Sequence, residues 1–132
     1  MEKRFPLAAL ILAAILISAG CGTKQDCHLL GLTVSPTSAT ADHSVAAPGD
    51  EIQFVAGPVV PTGCAVAACV NCWGQTWTVS DPVNVSIVND NPNNGLATCQ
   101  GATNGGITVT ASAPAGGKST QTVSASATLI CK

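Results

Sequence analysis

The residues best equipped for chemistry are the cysteines. Between Cys64 and Trp73 the chain reads Cys64-x4-Cys69-x2-Cys72, its densest reactive cluster. A C-x-x-C pair such as Cys69/Cys72 can hold zinc or exchange disulfides. Zinc would need two further ligands, and no second C-x-x-C exists; His28, His43 or distant cysteines would have to supply them. Thiol exchange places its pair at a helix start, where the dipole lowers the thiol pKa, and Val70-Asn71 lies in no helical pattern. Haem attachment requires histidine directly after the second cysteine, and Trp73 stands there. The reading that remains is structural: disulfide bonds in an exported chain.

Other constellations are thinner. Trp73 and Trp77, four apart, would share a face of one extended strand and could stack on sugar rings. Against this, a tryptophan on an alternating strand is more often a core residue, because buried aromatics dominate small cores. Asp81, Asn89, Asp90, Asn91, Asn93 and Asn94 bear the oxygens calcium prefers, but Asn, Asp and Gly are also what a tight turn demands. For catalysis there is no G-x-S-x-G elbow, no H-E-x-x-H and no phosphate loop. Cys27 and His28, being adjacent, point to opposite faces of a strand and cannot form a nucleophile–base pair. The sequence therefore predicts no enzyme, no metal site and no cofactor.

The elements that carry these residues begin with a leader. Two cations, Lys3 and Arg4, precede an apolar stretch from Phe5 to Ile17, then small residues Ser18-Ala19-Gly20, then Cys21. Basic, apolar and small segments in that order form an export signal, too short to cross a bilayer comfortably. The stretch Ile17-Ser18-Ala19-Gly20-Cys21 resembles the lipobox of bacterial lipoproteins, with Ser18 where that family usually has leucine. The resemblance implies cleavage before Cys21, acylation of Cys21 and a membrane held through several acyl chains. Gly22 in place of aspartate implies an outer-membrane or cell-surface destination within the envelope.

Three segments follow: a signal helix over 1–20, a lipidated N-terminus and tether over 21–30, and one domain over 31–132 with a cysteine-rich insertion near 57–75. The 112 residues left after cleavage suit one core. They hold three cations (Lys24, Lys118, Lys132) against six acids, so no basic face exists for nucleic acid. With Cys21 lipidated, six cysteines remain: Cys27, Cys64, Cys69, Cys72, Cys99 and Cys131. An even count in a small exported chain reads as a disulfide framework, and six cysteines leave roughly fifteen pairings open.

Period-two alternation recurs seven times between turn residues. It runs over Leu32–Val34, Ile52–Ala56, Trp77–Val79, Val83–Ile87, Leu96–Cys99, Ile107–Ala111 and Val123–Leu129. No stretch of the mature chain sustains a 3.6-residue period. The expected fold is an all-β, antiparallel sandwich of about seven strands.

Four segments in order resemble the bacterial immunoglobulin-like group 2 domain: Leu32-Thr33-Val34-Ser35-Pro36, Pro48-Gly49-Asp50 with Ile52-Gln53-Phe54, Thr76-Trp77-Thr78-Val79-Ser80-Asp81, and Gly106-Ile107-Thr108-Val109-Thr110-Ala111. The likeness spans Leu32 to Leu129 and departs from the family where the cysteine-bearing insertion replaces a short loop. It implies an immunoglobulin-like fold and a structural, adhesive or protein-interaction role at the cell surface. The alternatives are a carbohydrate-binding module using Trp73 and the cysteine-rich loop, or a metal or thiol-redox protein at Cys69/Cys72. The expected partners are the membrane, through the lipid, and a cell-surface protein or glycan.

Overall fold

The computed structural model describes residues 26–64 and 74–132. Cys21, Cys69, Cys72, Trp73 and the expected signal helix lie outside these residues. Among them the regular structure is entirely β.

The first apolar run forms β1 (Gly31–Ser35), which buries Leu32 and Val34. It pairs antiparallel with β4 (Val55–Val59), from Gly31 opposite Val59 to Ser35 opposite Val55. Pro36 has no N–H for a ladder, so the strand cannot continue in that sheet. The chain crosses to the other layer as β2 (Ser38–Ala41), which lies parallel to β9 (Thr122–Cys131). This one parallel pairing departs from the expected all-antiparallel sandwich. It arises because a single strand, broken at Pro36, serves both layers in turn.

The second run is divided likewise into β3 (Glu51–Gln53) and β4, interrupted at Phe54, whose amide donates to Gly95 O at 2.9 Å. β3 pairs with β7 (Leu96–Cys99), and β7 with β6 (Val85–Ile87). The unexpected β2 and the break at Phe54 thus bring seven expected strands to nine segments. The other layer is a four-stranded sheet in the order β2-β9-β8-β5, with β5 at Thr76–Val79 and β8 at Ile107–Pro114. The layer orders β1-β4/β3-β7-β6 and β2-β9-β8-β5 are those of an immunoglobulin-like sandwich.

Between the layers lie Leu32, Val34, Phe54, Ala56, Val85, Ala97 and Cys99 from one side, and Trp77, Val109, Ala111, Ala127, Leu129 and Cys131 from the other. Apart from Phe54 and Trp77 the core is built from aliphatic side chains and cysteine, many of them alanine. Val83, expected on a strand, is 80 % exposed in a turn. The cause is Asp81: its carboxylate accepts the Val83 and Asn84 amides and the Asn84 side chain, holding the chain bent until Val85. The Asn84 side-chain NH2, above all, keeps the Asp81 carboxyl below its ordinary pKa.

Residues 57–59, assigned to the insertion, complete β4. Residues 26–30, expected in the tether, are docked on the domain. Leu29 is buried and donates to Ala115 O at 2.8 Å, Leu30 donates to Val59 O at 2.7 Å, and Asp26 Oδ2 accepts the Lys118 amide at 3.4 Å.

Candidate functional site

Among the described residues, Cys27 is joined to Cys64 and Cys99 to Cys131, each with Cα atoms 5.7 Å apart. The first ties the approach to β1 to the chain just beyond β4. The second joins the ends of β7 and β9 across the two layers, with both residues buried in the core. Such bonds persist in oxidising, extracytoplasmic compartments.

Trp77 is 2 % exposed and packs against Phe54, ring centroids 6.3 Å apart. It is therefore closed to a sugar, and the shared aromatic face with Trp73 is lost. What surrounds it is a polar frame from the loop between β6 and β7. Asn89 accepts the Trp77 amide at Oδ1 and donates its Nδ2 to Trp77 O at 3.1 Å, so its carboxamide imitates a neighbouring strand. Asn94 Oδ1 accepts the indole Nε1 at 2.6 Å, and Asn94 Nδ2 returns to Asn89 O at 2.8 Å. Gln53 Nε2 bridges the carbonyls of Phe54 and Asn94, both at 2.8 Å. Gly95 closes the frame with φ +87°, and a Cβ there would clash with Phe54 O. Two of the oxygens considered for calcium thus face an indole and a backbone amide. The frame also occupies the outer edge of β5, which would otherwise be open to strand pairing.

The two histidines are remote from each other. His28 Nδ1 sits 3.1 Å from Asp26 O, at the end of the sandwich where Cys27 joins Cys64. His43 Nδ1 contacts Lys132 O at the end where β2 and β9 finish. Among the described residues, no three histidine, cysteine or acidic side chains are grouped to hold a metal.

The candidate contact surface is the outer face of the four-stranded sheet. On β5 it presents Thr76 and Thr78, continued by Ser80; on β8 Thr108, Thr110 and Ser112; on β9 Ser124, Ser126 and Thr128. The register sets Thr78 beside Thr110 and Thr110 beside Ser126, and Thr76 beside Ser112 and Ser112 beside Ser124. Thr110 Oγ1 and Ser126 Oγ are 2.9 Å apart, and Ser80 Oγ accepts the Thr108 amide at 2.9 Å. These nine outward positions are hydroxyl-bearing, Pro114 and Ile130 border them on β8 and β9, and the outward positions of the three strands carry no charge and no aromatic ring. In the sequence these residues are only the polar half of each alternation.

The chain matches no protein-family model and no curated protein.

Proposed function

We propose that this protein is an exported, lipid-anchored immunoglobulin-like module of the cell envelope, acting through contact with another macromolecule rather than through catalysis. The observation that carries the reading is the uncharged hydroxyl face on β5, β8 and β9. A surface shaped only for solubility carries charges of both signs. Serine and threonine instead donate and accept hydrogen bonds in many geometries and lose little side-chain entropy on contact. Burying them costs far less than burying charges, so a polypeptide surface of matching shape can be met over a wide area. Trp77 being closed to solvent removes half of the aromatic platform a glycan would have used, which favours a protein partner.

The anchor rests on the leader ending in Cys21 and on the oxidised cysteines behind it. The intact mass of protein extracted from membranes, without reduction, should match residues 21–132 plus acyl chains. Retention of Met1 would overturn the anchor.

The contact face has its own test. A photo-crosslinking side chain placed at Thr110 or Ser126 in intact cells should give discrete higher-mass adducts. The same group at Ser86, exposed on β6 in the other layer, should not. Adducts from Ser86 alone, or from none of the three, would remove this face from consideration.

A further inference from the structure

The hydroxyl face continues onto the fourth strand of its sheet. On β2, Ala39 and Ala41 turn toward the core, which leaves Ser38 and Thr40 exposed on the outer side. The register sets Ser38 beside Thr128 and Thr40 beside Ile130. The whole width of the sheet is therefore uncharged on its outer side, and Lys118 and Lys132 lie beyond the ends of β8 and β9.

Charge selects what such a face can meet. The described residues hold Asp26, Asp42, Asp50, Glu51, Asp81 and Asp90 against Lys118 and Lys132, so two copies of the domain repel. Five of these acids sit in loops and turns, and Glu51 lies in the other layer, on the side of β3 away from the core-packed Ile52. The hydroxyl face is where two copies can touch without bringing acids together. Its chemistry suits an identical face, because every hydroxyl both donates and accepts and so finds a match in its own kind. Its shape does too. Neighbouring strands of a sheet are rotated by roughly 20–25°, so a flat ligand would touch only part of the face. A second sheet of the same hand packs on it aligned, at about −30°.

We infer that two copies pair through this sheet, face to face, about a two-fold axis running along the strands. The pairing rests on the reading of this face as a contact surface and names its partner. Thr110 and Ser126, side by side in the middle of the sheet, lie nearest the axis, so Thr110 of each copy meets Ser126 of the other. The anchored ends of both copies, Asp26 to Leu30, then lie on the same side, as two molecules held on one membrane require. Four strands about 4.8 Å apart and about seven residues long cover roughly 450 Å2 per copy. A stable complex buries about 800 Å2 per partner, so the pair is transient in dilute solution and forms where anchoring concentrates the copies.

Full-length protein with a photo-crosslinking side chain at Thr110 would be irradiated in the membranes of cells that also make an epitope-tagged copy. The main adduct should have twice the mass of the protein and include the tag. Ser126→Asp in both copies, or Ser126→Lys in both, should lower its yield several-fold, because like charges meet at the axis. Ser126→Asp in one copy with Ser126→Lys in the other should restore it, which also shows that the variants fold. A dimer adduct indifferent to like charges at Ser126 would overturn pairing through this face. Adducts of another mass, without the tag, would overturn self-pairing alone and leave the face to a different protein. No adduct from Thr110 or Ser126 would overturn the contact face, and the pairing with it.

Discussion

Replacing Trp77 with alanine is expected to lower the melting temperature by roughly 15–30 °C, the largest effect of any single substitution in the described residues. Removing a buried aromatic ring from a close-packed core costs about 3–5 kcal/mol. In a domain of about 100 residues each kcal/mol moves the midpoint by about 4–8 °C. The site has little means of collapsing into the void. Its neighbours are Phe54, fixed through its amide to Gly95, and the alanines and valine of β8. The polar frame raises the cost, because Asn94 Oδ1 loses the indole N–H it accepts. Trp77→Phe separates the two contributions. It keeps most of the ring and loses the Nε1 bond, so a drop of about 1–3 kcal/mol is expected, the usual penalty for disrupting one buried hydrogen bond. Thermal unfolding followed by circular dichroism decides the matter. A midpoint for Trp77→Ala within a few degrees of wild type would mean that the ring is not a core element. The paired-tryptophan reading of glycan binding would then return.

The alternation of apolar and polar residues was enough to place all seven strands, because burying one face of a pleated sheet imposes a period of two on the sequence. Its misreadings have local causes. Leu32–Val34 reads as a strand that ends at Pro36, whereas beyond that missing N–H the chain passes to the other layer as β2. Val83 fitted the alternation of Val85 and Ile87, yet the Asp81 carboxylate holds the backbone in a turn there. Asn89 and Asn94 were legible as turn residues. Their bonding to Trp77 was not, since it joins atoms 12 and 17 residues apart that only the folded chain brings together.

The candidate surface was illegible for a related reason. Each of β5, β8 and β9 shows its serines and threonines openly in sequence, but a face exists only once these strands are neighbours, and strand order is a property of the topology. The cysteines show the same limit. Their even number pointed to disulfides, while their pairing depends on which strand ends finish at the same end of the sandwich.

Converting both Cys99 and Cys131 to alanine is expected to destabilise the protein by about 3–5 kcal/mol, more than the same change at Cys27 and Cys64. Loop entropy does not distinguish the bonds. They span 32 and 37 residues, and each is worth about 3–4 kcal/mol on chain-entropy grounds. Burial does distinguish them. Cys99 and Cys131 are 3 % and 2 % exposed, so their sulfurs fill the core between β7 and β9, and truncation adds a packing loss to the entropic one. Cys27 and Cys64 lie at the anchored end, where Leu29 and Leu30 keep backbone hydrogen bonds of their own. Losing that bond should leave the sandwich folded while the amides of Leu29 and Leu30 exchange faster with solvent. Denaturant unfolding of the two double variants, with hydrogen exchange on the second, tests both expectations. Equal losses would show that the bonds act only through the unfolded chain. A larger loss at Cys27/Cys64 would mean that the anchored end, rather than the junction of the two layers, limits the stability of the fold.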